Sequence, residues 1–244
     1  MQQQLYINNV RMMILNLTPR LKIIADSIQG FETLADIGSD HAYLPIYLIK
    51  NRRVKSVIAT DVNSGPAEIS RKRIKNHGLE SKISVREGSG LRVINSGEAE
   101  VIVIAGMGGI LIGDILDKGI DAAKSAKLLI LQPMRDSEKV REWLLEHGFD
   151  IIDEELVKDQ DKIYEVIWSQ PGEEAGEAKG PLLIGEKIIE KKHPLLEEFI
   201  NRKVKELEKI MIALEAMDSD NCRERAEECR AMLAYYREVA EWAR

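Results

Sequence analysis

Between residues 33 and 169, short apolar runs alternate with longer stretches whose apolar positions recur every three or four residues. The runs fall at residues 33–37, 56–61, 83–87, 101–105, 128–132, 150–157 and 163–169. The early ones are rich in Val, Ile and Leu, the composition of strands buried on both faces. Helical periodicity occupies residues 44–51, 66–77, 110–119 and 137–147. Pro66, just after Ser64-Gly65, suits a first helical turn. His77 and His147 each precede a glycine, the position of a helix end. This alternation predicts an α/β fold with helices on both faces of a parallel sheet. The last two runs are joined only by residues 158–162, too few for a crossover helix, so they predict an antiparallel hairpin. Upstream, Leu17, Leu21, Ile24, Ala25 and Ile28 mark one face of an amphipathic helix over residues 17–28.

The pattern changes after residue 170. Residues 171–181 form a polar, glycine-containing, acidic linker. Beyond it, Ile200, Val204, Leu207, Met211 and Leu214 follow a 4-3-4-3 spacing. After a break at Asp218-Ser219-Asp220, Cys222, Ala226, Cys229, Leu233, Tyr236, Ala240 and Ala243 do the same. Two heptad seams separated by a short turn predict an antiparallel coiled-coil hairpin. The expected organisation is a first domain over residues 1–170, a linker over 171–181 and a helical hairpin over 182–244.

Composition narrows the class. The 244 residues are 44% hydrophobic and 31% charged, the balance of a globular chain of one large domain with or without an appendage. No apolar run approaches the ~18 residues of a membrane span. The start, Met1-Gln2-Gln3-Gln4, lacks the basic and apolar regions of a secretory signal, so a cytoplasmic location is expected. Cys222 and Cys229 lie two helical turns apart, too far for a disulfide, and no metal-ligand spacing involves them. A net charge of −6 lends no support to nucleic-acid binding, although a local basic patch is enough for phosphate contacts.

The candidate chemistry lies where strands end. The run ending at Ile37 meets Gly38-Ser39-Asp40-His41 and then a helix start. In a doubly wound sheet this is the first β-α turn, where nucleotide-like ligands bind. With one glycine and no G-x-G-x-x-G fingerprint, the turn suits a ligand without phosphates, of which S-adenosylmethionine is the leading candidate. Asp61, closing the second run, is placed to accept hydrogen bonds from ribose hydroxyls. Gly88-Ser89-Gly90 lets the chain lie against an adenine ring, with Ser89 facing its amino group. Gly106-Met107-Gly108-Gly109 clears space for a flat substrate beside the cofactor. The Asn/Asp-Pro-Pro-aromatic motif that grips an exocyclic amino group is absent here, which favours attack by a ring nitrogen. Asp40 has three readings: stabilising charge that develops on such a nitrogen, binding the cofactor's ammonium group, or capping the next helix. Five alternating units closed by a hairpin match the class I, Rossmann-like methyltransferase sheet.

The chain resembles the bacterial tRNA adenine-22 N1-methyltransferases along nearly its whole length. The resemblance is carried by residues 35–45, Gly65-Pro66, residues 104–109, Leu131-Gln132-Pro133 and Tyr164-Glu165-Val166, with Arg20-Leu21 in the first helix and the C-terminal hairpin. It departs at Ser89, where the family often has an acid, and at Asp61, where Glu is common. The resemblance implies methyl transfer from S-adenosylmethionine to N1 of an adenine in the D-arm region of tRNA, with Asp40 at the catalytic pocket. The expected cofactor contacts are Gly38, Ser39, His41, Asp61, Val62, Gly88, Ser89, Gly106 and Met107. The expected RNA contacts are Arg20, Gly108, Gly109, Lys191, Lys192, Arg202 and Lys203. A monomer without metal or membrane association is expected. The rival readings are a methyltransferase for another substrate and a non-catalytic cofactor- or RNA-binding module.

Overall fold

Val101 and Val103 face one layer of helices while Ile102 and Ile104 face the other, so one strand feeds two separate cores. The same division runs through Leu128 and Ile130 against Leu129 and Leu131 on the neighbouring strand. This is why these runs read as continuously apolar. The computed structural model describes residues 16–176, 180–216 and 220–243. Within the regions read from the sequence, Met1–Gln4, residues 177–179 of the linker, and Asp218 and Ser219 of the break lie outside the described residues.

Seven strands form one sheet: β1 (Thr33–Ile37), β2 (Ser56–Asp61), β3 (Ile83–Glu87), β4 (Val101–Gly108), β5 (Leu128–Arg135), β6 (Phe149–Asp159) and β7 (Lys162–Pro171). Their order is β3-β2-β1-β4-β5-β7-β6. The first five strands pair in parallel, and β7 inserts antiparallel between β5 and β6. The predicted α/β methyltransferase-type sheet, with its closing hairpin, is the observed one. Helix α1 (Pro19–Ser27) starts at its proline and is tied to the sheet by Trp168 Nε1, which donates to Ser27 Oγ at 2.9 Å. The other helices of the sheet domain are α2 (Tyr43–Lys50), α3 (Ser64–Asn76), α4 (Gly109–Asp117), α5 (Ile120–Ser125) and α6 (Ser137–Glu146). The α5 turn was not anticipated. His77 and His147 do stand at helix C-termini.

Beyond the sheet come α7 (Glu186–Glu190), α8 (Leu196–Glu215) and α9 (Asp220–Ala243). The heptad positions are the ones withdrawn from water. Ile200, Ala226, Cys229, Leu233 and Tyr236 are buried; Val204, Leu207, Met211 and Leu214 are half-buried; most residues between them are exposed. An ion pair from Arg237 to Glu208 crosses the two antiparallel helices at 3.4 Å. Neither Cys222 nor Cys229 is in a disulfide. The base of the hairpin is not free-standing. Phe199, Ile200, Tyr236 and Val239 join Leu156 of β6 and Ile184 and Ile188 in a third apolar cluster. That cluster packs the base of the hairpin onto the last two strands of the sheet.

A buried charge network fastens the same junction. Arg141 of α6, 1% exposed, donates from Nε to Glu154 of β6 at 2.6 Å, pairs with Glu165 of β7, and donates to the Leu182 carbonyl at 3.0 Å. Ser137 donates to the other oxygen of Glu165. The backbone N–H of Lys187 donates to Glu154 at 3.2 Å. Burial alone would push the Arg141 guanidinium down, but Glu165 and Glu154 raise it, so it stays charged.

Candidate active site

The first turn is built by a reversal of handedness. Gly38 has φ +69°, and His41 and Ala42 follow at φ +61° and +54° inside a short 3-10 segment, Asp40–Ala42. Two non-glycine residues in the left-handed region are costly, and such strain is found where surrounding structure holds it in place. Here α3 does the holding. Ser70 Oγ donates to the Ser39 carbonyl at 3.3 Å, and Arg73 donates to the His41 carbonyl at 3.2 Å. The Arg73 guanidinium also lies 4.0 Å over the Tyr43 ring. The Ser39 N–H reaches across to the Thr60 carbonyl of β2 at 2.8 Å.

Asp40 makes no capping hydrogen bond to the following helix, whose first cap residue is Ala42. Its side chain is 77% exposed and stands 3.1 Å from His41 Nε2. His41 Nδ1 is buried and has no hydrogen-bond partner; nor has Thr60 Oγ1. Behind the turn, Asp36 is 7% exposed, and burial pushes its carboxyl up to about 6.

The second and third turns meet through the Gly88 N–H, which donates to the Asp61 carbonyl at 2.9 Å. Asp61 Oδ1 accepts the Asn63 N–H at 2.9 Å, which turns its carboxylate and leaves the second oxygen for a ligand. Val62 beside it is 66% exposed, an apolar face without a protein partner. Ser89 is exposed at the start of a second 3-10 segment, Gly90–Val93.

β4 runs three residues further than predicted, because pairing with β5 continues through the glycines: Met107 opposes Pro133 and Gly108 opposes Arg135. The register shifts at Gly106, whose φ of +80° makes a bulge. Met107 is thereby turned so that its terminal methyl lies where a Gly38 side chain would be. The Gly38 face assigned to a ligand is covered by a flexible thioether, a side chain able to change rotamer. Gly109 is buried, and a side chain there would strike the Asp136 backbone, so packing alone explains this glycine.

Arg20 comes from α1 to the same carboxyl edge. Its Nη1 donates to Gln132 Oε1 at 3.0 Å, its Nε lies 3.7 Å from Asp159, and it passes over Gly106. Gln132 is fully buried and donates in turn to the Pro133 carbonyl at 2.9 Å. Gln132, visible as the polar residue ending an apolar run, was missed as a site residue. Asp159, Ser70, Arg73 and Thr60 gave no comparable signal. Around this edge Ile110, Leu111 and Met134 are 63%, 49% and 42% exposed.

The four expected RNA contacts in the C-terminal part separate. Arg202 and Lys203 lie on α8 facing β7. Lys191 is held by Asp153 and Glu155 on the outer strand β6, and Lys192 lies 5.0 Å over the Trp242 ring. Among the described residues no group of His, Cys, Asp and Glu could hold a metal ion, and no helix is long and apolar enough to cross a membrane.

A five-stranded parallel sheet closed by an inserted antiparallel strand, with its polar residues at the carboxyl ends of β1, β2, β3 and β4, defines a Rossmann-like α/β methyltransferase. The family model described as tRNA (adenine(22)-N(1))-methyltransferase matches residues 34–238, and the chain belongs to that family. The tRNA (adenine(22)-N(1))-methyltransferase of Bacillus subtilis is 41% identical over 183 residues, covering 71% of this chain and 77% of that protein. The crystal structure of the B. subtilis m1A22 tRNA methyltransferase TrmK superposes with a TM-score of 0.84 at 33% identity, covering 93% of this chain and 100% of the other. A Streptococcus pneumoniae structure, described as a putative tRNA (m1A22) methyltransferase in complex with S-adenosyl-L-methionine, gives a TM-score of 0.80 at 33% identity, covering 92% and 100%.

Proposed function

We infer that this protein transfers a methyl group from S-adenosylmethionine to N1 of adenine 22 in tRNA. The observation that carries the reading is the carboxyl edge of the sheet itself: one turn strained by His41 and Ala42, one free carboxylate oxygen on Asp61, and a glycine bulge on β4, in a chain of this family. These residues fit the cofactor. Asp61 offers an oxygen to the ribose, Val62 an apolar face to the adenine, and Ser89 an exposed hydroxyl near it. Gly38, Ser39 and His41 would hold the amino-acid end, with Met107 swinging from Gly38. When bound, the cofactor supplies an electrophilic methyl on a sulfonium.

The substrate nitrogen carries a free lone pair, so no base is needed before attack. The N1–carbon bond forms as the sulfur–carbon bond breaks, and positive charge spreads over the adenine ring. The exposed Asp40 carboxylate is the anion that would stabilise that charge. Gly106 and Gly108 admit the flat ring, and Arg20, fixed by Gln132 and Asp159, borders it. A base inside a stack cannot reach this edge and must be turned out of its helix. The division into a catalytic part over 1–170, a linker over 171–181 and a hairpin over 182–244 is part of this reading, with Arg202 and Lys203 as RNA contacts on the hairpin.

The test is incubation of the purified protein with labelled S-adenosylmethionine and unmodified bulk tRNA. Label on tRNA and none on protein supports the reading. Cofactor binding without label on any RNA would overturn it in favour of a non-catalytic module.

A further inference from the structure

Beside the carboxyl end of β5 lies a groove of about 340 Å3, lined by none of the residues assigned to the cofactor. Met134 of β5, Lys162 and Tyr164 of β7, and Phe199, Arg202 and Lys203 of α8 line it. We propose that this groove is a subsite for a single unstacked nucleotide of the substrate tRNA, its phosphate on the cations and its base against Met134 and Tyr164. The proposal rests on the tRNA reading above and adds the place where RNA next to the target base is held.

Three observations carry it. The first is continuity with the reaction edge. Arg135 at the mouth of the groove is the sheet partner of Gly108, and Lys162 is the partner of Asp159, which takes the ion pair from Arg20. A nucleotide in the groove would therefore be a near neighbour of one beside Gly106.

The second is charge. Some surface cations of the sheet domain are neutralised locally, among them Lys22 by Asp26, Lys55 by Glu32, Lys127 by Glu100 and Lys139 by Glu142. Among the described residues, Lys162 and Lys203 stand in no ion pair. The Lys203 ammonium instead lies 5.5 Å over the Phe199 ring. Arg202 is fixed by Glu198 and by the Asp161 carbonyl, so its position is preset. Glu206 is the one carboxylate in the lining, beside Lys162 and Lys203; Arg135 pairs with Asp136 at 3.5 Å and Arg202 with Glu198. On a chain of net charge −6, that cluster is a local site for an anion.

The third is size and lining. The volume is at the low end of the ~300–1,000 Å3 usual for small-ligand sites, enough for one nucleotide and too small for a duplex. Cations beside an aromatic ring and a thioether are the combination that holds single-stranded nucleic acid, phosphate on charge and base on apolar surface.

The experiment compares the wild-type chain, Lys162→Ala/Lys203→Ala, Tyr164→Leu and Lys127→Ala, which removes a like charge at the opposite end of β5. Each is assayed for KM towards tRNA, for tRNA affinity against salt concentration, and for calorimetric affinity towards S-adenosylmethionine. The double lysine variant is expected to raise KM about tenfold and to lower the salt slope by about 1.5, since each lost phosphate contact removes ~0.7–0.9. Tyr164→Leu is expected to raise KM with the salt slope unchanged. Cofactor affinity should hold throughout, and Lys127→Ala should match the wild type. A double variant with wild-type KM and slope overturns the subsite while leaving the tRNA reading intact. A wild-type chain that methylates no tRNA overturns both.

Discussion

Asp36 and Asp40 are four residues apart, and their surroundings give them opposite work. Asp40 is exposed, 3.1 Å from His41 Nε2, and faces the substrate in the proposed function. Replacing it by alanine should lower turnover ~10²–10³-fold, the usual effect of losing one preorganised electrostatic contact. Its effect on cofactor affinity should be much smaller. Equal losses in both would assign Asp40 to the cofactor's ammonium group instead. Asp36 is enclosed, with its carboxyl held at about 6 by burial against an ordinary 3.8. Its folded value exceeds its unfolded one, so the native state binds the proton more tightly. The stability this confers is full below about pH 4 and is lost as pH rises through about 6, an effect of about 3 kcal/mol at ~1.4 kcal/mol per unit. Melting curves should therefore show wild type losing stability relative to Asp36→Asn between pH 4 and pH 7. A difference that does not change with pH would show that Asp36 is not desolvated.

Among elements, the strands that read as continuous apolar runs were the most legible. β1, β2 and β3 begin and end where their Val, Ile and Leu content says they should; β1 is buried on both faces, while the edge strand β3 buries Ile83 and leaves Ser84 and Glu87 exposed. The sequence could not show that β4 pairs through Gly106 to Gly108, since glycines weaken a strand locally and only the neighbouring β5 restores the ladder. Nor could it show that Lys191 is neutralised while Lys203 is not, because the carboxylates that decide this come from β6, about forty residues earlier in the chain. The first turn was legible as a place, through Gly38, but not as a shape: its left-handed His41 and Ala42 are imposed by α3. The α6–β6–β7 junction was silent for the same reason. Arg141, Glu154 and Glu165 look like ordinary charged residues until folding buries them together. Arg141→Met should cost about 3–5 kcal/mol in denaturant unfolding, because two carboxylates are left buried without a cation. Adding Glu154→Gln and Glu165→Gln should recover part of that loss. A single variant as stable as wild type would mean that the network contributes nothing net.

At the scale of the whole molecule, the helical hairpin stands on the sheet domain at the side where β5 ends and β7 begins. Its base shares a core with β6 and its shaft carries a heptad seam of its own. Under the proposed function, this arrangement would give a small catalytic edge a second surface against which a large RNA is braced. The account as a whole requires that the edge formed by Gly38, Asp61 and Gly106 act on one nitrogen of one nucleotide. The most direct measurement is to map the methylated position in an unmodified tRNA after reaction with the full-length protein and S-adenosylmethionine. Digestion with mass spectrometry identifies the methylated base, and reverse transcription locates it, because a methyl on N1 blocks base pairing. The account requires 1-methyladenosine at position 22, and no product when Asp40 is alanine over the same time. Methylation at another atom or another nucleotide, or undiminished product from the Asp40 variant, would contradict it.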